Sequence, residues 1–375
     1  MLVFLAPYPD KAIERDGLVQ RVTAIDSIFE GVPRMYLQVS FKRPQRKVET
    51  HGRVTVERAN FFLHGRHITR SLQDAKWIYI HSVWSGLRLL PWLRGFGSKI
   101  IFDAHGVLPE EMAFAGNRTW AAITERGERA LVRNCHLMVT VTDAMARHFL
   151  EKYPGVLEPS QILTLPIFVS GGASSSGVSE PPQSREARTG SGDLRLVYAG
   201  GVDKWQNVDL TLDTLRRLAG ARPDVSASLY VPQSAVSGLK EKVRRASLDG
   251  RIEVGSLSHE EMLRQYARMD AGFVLRDDTL MNRVAMPTKL VEYLAHGVVP
   301  IVLSPHIGDF AEYGYRYLTL ADLFDPTKLC RATLDRMRER NCASLVAVRA
   351  ATVAAKKKLE SLMLGEAMAA SDTAG

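Results

Sequence analysis

The sequence of 375 residues has few cysteines and no long apolar run. Its three cysteines, Cys135, Cys330 and Cys342, lack CxxC spacing. An odd number without that spacing argues against a disulfide framework and a zinc site, and favours a reducing cytoplasm. No uncharged apolar stretch reaches the roughly 18 residues of a membrane-spanning helix. The apolar start Met1–Ala6 has no basic flank and meets Pro7 at once, so we expect a buried strand there and no signal sequence.

Several catalytic signatures are also missing. The sequence contains no DxD triplet, no HExxH, no GxxxxGK[ST] and no GxSxG. These absences argue against a diphosphate bridged by a DxD-bound metal, a zinc protease, a P-loop nucleotide site and a hydrolase with a nucleophile elbow. No metal and no cofactor are expected.

Positive charge is unevenly distributed. The net charge is +8, and residues 34–70 alone contain nine Lys or Arg against two Glu, a net +7. Such a segment suits an anionic partner, whether nucleic acid, anionic lipid or a phosphorylated substrate, with a solvated basic face as the alternative. The stretch from Trp84 to Phe96 interleaves aromatic side chains with Arg88 and Arg94. It predicts either contact with an anionic membrane or an ordinary packed helix.

Composition divides the chain into two domains. At 46% hydrophobic and 24% charged residues the sequence is that of a globular protein, but its length exceeds what one core comfortably holds. Residues 170–193 are dominated by Ser, Gly and Pro, which predicts a linker. The expected organisation is a first domain at 1–169, a second at 194–345, and a C-terminal helix with a frayed tail at 346–375.

Short apolar runs alternate with amphipathic stretches on both sides of the linker. This alternation predicts two doubly wound α/β domains facing a cleft, with ligands at the carboxyl ends of parallel strands. The predicted strands are Met1–Ala6, Trp77–His81, Lys99–Asp103, Leu137–Thr142, Ile162–Leu165, Leu194–Ala199, Ala227–Val231, Arg251–Val254, Gly272–Leu275 and Val299–Leu303. The predicted helices include Thr119–Val132, Asn207–Leu218, His259–Ala267 and Thr288–Ala295.

Two segments of the second domain suggest a phosphate site. Gly200 and Gly201 follow the first strand, with Lys204 just beyond; glycines permit close backbone approach to a phosphate and lysine supplies charge. In PTKLVEYLAHGVVPIV, a helix is predicted to open at Thr288 and to close at Gly297. Glu292 lies one turn into that helix, where it can accept hydrogen bonds from ribose hydroxyls or simply occupy an exposed helix position.

The second domain resembles the donor-binding domain of GT-B glycosyltransferases of family 4 type, particularly bacterial polysaccharide enzymes. The resemblance rests on three segments in the family's order, namely YAGGVDKWQNVDLTL, GSLSHEEMLRQYARMDAGFVL and PTKLVEYLAHGVVPIV. It implies that Glu292 holds the ribose, that Lys204 meets the diphosphate, and that the backbone at Thr288 and Lys289 lies against it.

The sequence departs from this family at one position. The family commonly carries two glutamates with seven residues between them, and the position that would partner Glu292 is Val284. Asp277 or Asp278 are the alternatives for contacting the donor sugar.

In the first domain the predicted strand Lys99–Asp103 is followed closely by His105. A histidine at the carboxyl end of a strand can hydrogen-bond a reacting sugar or merely cap a loop. The resemblance favours a catalytic His105 oriented by Asp103, with Glu110 and Glu111 as the next candidates.

The loop after the first strand is the expected place for acceptor contacts. Related enzymes carry a glycine-rich loop there, of which Gly17 is the close analogue, and Asp16 precedes it.

The resemblance implies a cytoplasmic, metal-independent glycosyltransferase that takes a UDP- or GDP-sugar and a saccharide acceptor, expected to be lipid-linked at the inner membrane face, with retention of configuration. His105 and Lys204 are the expected catalytic residues. The alternatives are a nucleotide-sugar epimerase on the same fold and a non-catalytic protein that binds nucleic acid or another anion.

Overall fold

The computed structural model describes residues 1–9, 17–92, 99–167 and 194–371. The chain forms two compact units. Unit 1 comprises Met1–Phe168 and Ala350–Gly375, and unit 2 comprises Val169–Arg349. The linker predicted at 170–193 and the acceptor candidate Asp16 lie outside the described residues.

Unit 1 is built on an eight-stranded sheet. Its elements are β1 (Leu2–Leu5), α1 (Gly17–Asp26), β2 (Arg34–Ser40), β3 (Lys47–His51), β4 (Val54–Asn60), α2 (Gly65–Gln73), β5 (Trp77–His81), α3 (Ser82–Leu87), β6 (Lys99–Asp103), α4 (Leu108–Phe114), α5 (Arg118–Asn134), β7 (Leu137–Thr140), α6 (Asp143–Lys152) and β8 (Ile162–Thr164).

The sheet of unit 1 is doubly wound. Its strand order is β3-β4-β2-β1-β5-β6-β7-β8, and β3 is antiparallel to β4 while the other neighbours pair in parallel. The order reverses between β1 and β5, which places a topological switch point at the carboxyl ends of those strands. His81 on β5 lies opposite Asp103 on β6 at this edge. Strands β5 and β6 have the predicted bounds.

The basic segment 34–70 is part of the sheet, which the sequence analysis missed. It contains β2, β3, β4 and α2, and several of its charges are paired: Arg34 with Asp26, Arg46 with Glu57 and Arg58 with Glu49. Arg34 of β2 and Glu57 of β4 are buried. These charged residues interrupt the continuous apolar pattern by which an inner strand is recognised in a sequence.

The stretch from Trp84 to Phe96 begins as a packed helix. Val83 is buried in α3, and a Cβ at Gly86 would lie 2.6 Å from Leu131 Cδ1 of α5. Helix α3 therefore belongs to the layer over the sheet, and residues 93–98 lie outside the described residues.

Unit 2 is built on a six-stranded parallel sheet. Its elements are β9 (Leu194–Ala199), α7 (Val208–Ala221), β10 (Val225–Tyr230), α8 (Gln233–Arg245), β11 (Ile252–Gly255), α9 (His259–Tyr266), β12 (Ala271–Val274), α10 (Leu280–Val284), α11 (Thr288–Ala295), β13 (Val299–Val302), β14 (Leu318–Thr319) and the first part of α12 (Arg331–Ser371).

The sheet of unit 2 is also doubly wound. The order β11-β10-β9-β12-β13-β14 reverses between β9 and β12, so its switch point lies where Gly200 and Arg276 follow these two strands. Short β14 was not predicted from the sequence.

Helix α12 contributes to both cores, which corrects the predicted separate helix at 346–375. It begins at Arg331. Leu334 packs into the core of unit 2, whereas Leu359 packs into the core of unit 1. Arg338 anchors the first part by donating to the buried carboxylate of Asp270 at 2.9 Å. No described helix is sufficiently long and apolar to span a bilayer.

Close packing on the sheet of unit 2 fixes the position of α11. Gly272 of β12 lies under the ring of Tyr293, and a Cβ at Gly272 would be 2.6 Å from Tyr293 Cζ. The helix ends in a Schellman motif, in which Val298 donates to the Tyr293 carbonyl at 2.9 Å and Gly297 has φ +67°. The predicted opening at Thr288 and the closure at Gly297 are both confirmed.

We expect Gly272→Ala to destabilise unit 2, because the added methyl group must displace the buried Tyr293 ring. Overpacking of this kind costs about 1–3 kcal/mol, measurable by chemical denaturation. Gly238→Ala in α8 is the control, since no atom lies within 4 Å of its Cβ position, and it should stabilise by roughly 0.5–1 kcal/mol. Equal stability of Gly272→Ala and the unmodified protein would contradict this packing.

Candidate active site

Unit 2 carries a glycine turn at its switch point. Gly200 has φ +145°, a conformation that L side chains rarely adopt, and a Cβ there would lie 2.9 Å from Lys289 Nζ. The Gly200 amide donates to the Tyr230 carbonyl at 3.0 Å. No described residue accepts a hydrogen bond from the amide of Gly201, which leaves that amide for a ligand. The turn therefore brings backbone, an amide donor and a lysine close together.

Lys289 has a buried side-chain amine without a carboxylate in contact. Its Nζ donates to Gln206 Oε1 at 3.1 Å and lies 4.1 Å from the centroid of the Tyr198 ring. Within the described part of the chain, no acidic oxygen lies within ion-pair distance of it. Burial, and secondarily Arg276, lower the pKa of Lys289 well below its usual value, although Glu292 opposes this shift. A buried ammonium of this kind is costly unless an anion joins it.

Arg276 adds a second cation at the same switch point. It follows β12, and its Nη1 donates to Asn282 Oδ1 at 3.4 Å. Its charge lowers the pKa of Lys289, which indicates that the two cations are close. Two neighbouring positive charges beside a free amide form a site for a doubly charged anion.

Glu292 lies two residues after Leu290 on α11 and is buried. Its Oε2 accepts a hydrogen bond from the Tyr266 hydroxyl at 3.2 Å, and its Oε1 lies 3.8 Å from His259 Nδ1. Burial raises the pKa of Glu292 to about 7, against the opposing effects of Tyr266 and Lys289. Of the two readings of Glu292, the exposed helix position is wrong, and a carboxylate that titrates near neutrality is a candidate functional group.

The remaining donor candidates have diverse surroundings. Lys204 is exposed in the 3₁₀ turn Lys204–Gln206. Asp277 accepts from Asn207 Nδ2 at 3.2 Å, and Asp278 is paired with Arg283 at 2.6 Å. Val284, where the family has its second glutamate, is buried in α10.

In unit 1 a buried carboxylate lies at the end of β6. Arg21 donates hydrogen bonds to both carboxylate oxygens of Asp103, each at 3.2 Å, and to the Leu165 carbonyl at 2.7 Å. The Tyr79 hydroxyl donates to Asp103 Oδ2 at 2.9 Å. Burial alone would raise the pKa of Asp103, but Arg21 and His105 outweigh it and hold the pKa below its ordinary range. Asp103 is therefore a fixed negative charge.

His105 lies against this carboxylate and a second histidine. His105 Nε2 is 3.5 Å from Asp103 Oδ2 and 3.0 Å from His81 Nδ1. His81 is fully buried, and burial lowers its pKa well below the usual value, so its ring is neutral. The partly exposed His105 ring is thus positioned by one charged and one neutral neighbour.

The same three side chains could in principle ligate a metal ion. The potential ligand atoms of His81, Asp103 and His105 all lie within 4.8 Å of one another. However, the Asp103 oxygens already accept from Arg21 and Tyr79, and a buried guanidinium disfavours a further cation. The arrangement suits a hydrogen-bond relay better than a metal centre.

The reserve candidates Glu110 and Glu111 differ in their surroundings. Glu110 is paired with Lys152 at 2.7 Å, and Lys152 in turn contacts buried Glu128 at 2.6 Å. Glu110 therefore joins α4, α5 and α6. Glu111 faces Gly106, the residue after His105. Gly17 is the first residue of α1.

Sequence reasoning missed the side chain of Lys289, as well as Arg276, His81 and Arg21. A lysine in the first turn of a helix opposes the helix dipole, which was a usable signal at Lys289. His81 was also detectable, because it ends the strand predicted next to the one that ends at Asp103. Nothing in the spacing of Arg21 indicated its distant partners.

Comparison of the sequence with models of known families gives no match, and comparison with curated proteins gives none either. Solved structures do match. A trehalose-6-phosphate synthase from Burkholderia multivorans aligns with TM-score 0.66 at 13% identity, covering 100% of this chain and 98% of that one.

Anabaena HepE in complex with UDP and glucose aligns with TM-score 0.64 at 12% identity, covering 96% and 98%. HepE in complex with UDP-glucose aligns with the same TM-score at 13% identity, covering 96% and 99%. The chain therefore has the GT-B fold of two doubly wound α/β units that the sequence analysis predicted.

Proposed function

We propose that this protein is a glycosyltransferase that moves a sugar from a nucleotide-diphosphate sugar, UDP- or GDP-linked, to a saccharide acceptor. The observation that carries the proposal is the buried Lys289 ammonium, which has no carboxylate in contact and lies against Gly200 at the switch point. The fold is similar to that of Anabaena HepE, whose structure was solved in complex with UDP-glucose, and this similarity supports the same assignment. That the protein is of family 4 type, within the GT-B fold, remains a prediction from the sequence.

In this proposal unit 2 binds the donor. Lys289, Arg276 and the Gly201 amide meet the diphosphate, together with the N-terminus of α11 at Thr288. Glu292 accepts hydrogen bonds from the ribose hydroxyls. These groups are fixed before the reaction, so they stabilise the negative charge that grows on the departing diphosphate. Two protein cations can supply this charge in a metal-independent reaction.

Unit 1 serves the acceptor and the reacting sugar. His105 is the catalytic candidate, Asp103 stabilises positive charge on its ring, and neutral His81 sets its orientation. We further propose retention of configuration and a lipid-linked saccharide acceptor at the cytoplasmic membrane face. The excess of cations in residues 34–70 supports an anionic acceptor surface.

A panel of UDP-, GDP- and ADP-sugars tests the proposal. A ligand present at 100 times its Kd should stabilise the protein by about 2.7 kcal/mol, visible in thermal unfolding. The stabilising donor is then incubated with and without candidate saccharides, and nucleotide release is measured. Acceptor-dependent release supports transfer. An isomeric nucleotide sugar formed without acceptor would show an epimerase, and absence of stabilisation by every donor would contradict nucleotide-sugar binding.

We expect Lys289→Met to weaken donor binding by about 10- to 150-fold, since a hydrogen bond to a charged group contributes roughly 1.5–3 kcal/mol. The same change should raise the stability of the free protein, because it removes a buried charge without a counter-ion. Calorimetric titration and thermal unfolding measure the two effects. Lys204→Met is the comparison variant: a larger loss of affinity there than at Lys289 would assign the diphosphate contact to Lys204.

The raised pKa of Glu292 predicts pH-dependent binding. The carboxylate accepts ribose hydroxyls when ionised, so donor affinity should fall as the pH drops through about 7. A nucleotide sugar has no group of its own that titrates there. Because the folded pKa lies above the ordinary value, the contribution of Glu292 to stability is lost as the pH rises through 7.

Glu292→Gln is the control for both effects. It should bind donor weakly at every pH and be more stable than the unmodified protein at pH 8. Unchanged donor affinity of a folded Glu292→Gln protein at pH 8 would contradict the ribose assignment.

His105→Ala should separate chemistry from donor binding. Removing one preorganised group lowers kcat by about 10²–10³-fold, while nucleotide affinity should stay near that of the unmodified protein because the donor groups lie on unit 2. Rates, donor Kd and melting temperature are compared on the folded variant. Retention of most of the turnover would exclude His105 as the catalytic residue and make Glu110 and Glu111 the next candidates.

A further inference from the structure

Unit 1 exposes a cluster of apolar side chains after β2 and β4. Phe41 is 51% exposed, Phe62 72% and Leu63 65%. Their neighbours Phe61 and Trp92 complete what we call the aromatic patch. The ring centroids of Phe41 and Phe61 lie 5.0 Å apart, as do those of Phe61 and Phe62, and Phe61 and Trp92 are 4.9 Å apart. Contiguous exposed apolar side chains mark interaction sites, unlike scattered single ones.

The aromatic patch is held in place by a buried amide. Asn60 Oδ1 accepts from the backbone amides of Phe62 and Leu63 at 2.9 and 3.1 Å. Asn60 Nδ2 donates to the Arg43 carbonyl at 2.9 Å, so one side chain joins the loop after β2 to the loop after β4. Because this hydrogen bonding fixes both loops, the exposure of the rings is built into the fold.

Unpaired cations surround the aromatic patch. Lys42 and Arg43 follow Phe41 directly, and Arg66 and Arg70 lie on α2 just beyond Leu63; all four are exposed. In the described part of the chain none of the four has an acidic partner. In the β3–β4 hairpin, Lys47 and Arg58 are both paired with Glu49, and Arg53 donates to the Gly31 carbonyl. The excess positive charge of residues 34–70 is therefore concentrated beside the exposed rings.

The aromatic patch lies at the same edge of the sheet as His81 and His105. It follows the carboxyl ends of β2 and β4, which are parallel to β5 and β6 in the order β4-β2-β1-β5-β6. Neighbouring strands are about 4.8 Å apart, so β2 is separated from β5 by roughly 10 Å and from β6 by roughly 14 Å. A ligand surface that contacts the aromatic patch would therefore also lie near His105.

We infer that the aromatic patch docks unit 1 on the surface of an anionic lipid bilayer. Phe41, Phe62 and Leu63 enter the headgroup region, where aromatic side chains are favoured, and the four cations meet lipid phosphates. The rings pack on one another and include an aliphatic neighbour, which suits lipid better than the stacking of separate nucleic-acid bases. The inference deepens the proposed function by giving a lipid-linked acceptor its place of encounter.

The test measures binding of the full chain to sedimented vesicles. We expect binding to vesicles of 70% phosphatidylcholine and 30% phosphatidylglycerol, and little binding to pure phosphatidylcholine. Lys42→Gln/Arg43→Gln should weaken binding by about 25-fold, from roughly fivefold for each charge near the surface. Phe41→Ser/Phe62→Ser should weaken it by at least tenfold. Similar binding to both vesicle types would overturn the inference.

A matched variant removes two exposed rings elsewhere on unit 1. Trp84 and Trp120 are 38% and 43% exposed and pack on each other at 5.2 Å. Trp84→Ser/Trp120→Ser should bind anionic vesicles as the unmodified protein does. An equal loss in this control and in the Phe41→Ser/Phe62→Ser variant would also overturn the inference, as would single-stranded RNA binding that displaces the vesicles.

Donor binding is measured in parallel to keep this inference distinct from the proposed function. The Phe41→Ser/Phe62→Ser variant should retain its far-ultraviolet circular dichroism and its affinity for the stabilising nucleotide sugar. If no nucleotide sugar binds but vesicle binding depends on the aromatic patch, the proposed function fails and the docking surface stands. If donor binding and transfer persist without any vesicle binding, the docking surface fails and the proposed function stands.

Discussion

The proposed donor site depends on one buried lysine. Lys289 is held between the Tyr198 ring and Gln206, and only a residue without a Cβ fits beside it at position 200. Nearby Arg276 makes the local charge more positive. A protein that buries such charge without a contacting carboxylate gives up stability, and an anionic ligand restores the balance. In the parallel sheet of unit 2 this lysine lies at the switch point, beside the residue that follows β9.

Unit 1 also buries an ionisable side chain, but there the side chain is a carboxylate. There the buried charge is negative, and Arg21 neutralises Asp103 within the fold. What remains is a fixed carboxylate that polarises His105, and a neutral His81 that restrains it. Unit 1 therefore has a complete buried ion pair beside a histidine, whereas unit 2 has a buried lysine with no carboxylate in contact. This difference underlies the roles proposed for the two units, namely anion binding by unit 2 and proton transfer by His105 of unit 1.

The sequence was most informative about elements whose bounds are set by nearby residues. Continuous apolar runs identified β5, β6 and β9 at their observed bounds, and helix α11 followed from Pro287 and Gly297. Strands β2 and β4 were missed because buried Arg34 and Glu57 are paired only in the fold. The candidate sites show the same division. His105 after a predicted strand and Glu292 inside a predicted helix could be identified from their positions in the sequence alone. The partners Arg21 and Lys289 acquire meaning only through contacts between distant segments, as does the aromatic patch.

The most direct test of this account is the ionisation of Lys289 itself. Its Nζ can be followed by nitrogen-15 NMR as the pH rises, first in the free protein and then with a saturating nucleotide sugar. In the free protein the pKa should lie well below the usual lysine value because of burial. Donor binding should raise it, because the diphosphate supplies the missing negative charge. A Lys289 pKa that is unchanged by a bound nucleotide sugar would show that the diphosphate lies elsewhere and would contradict the account.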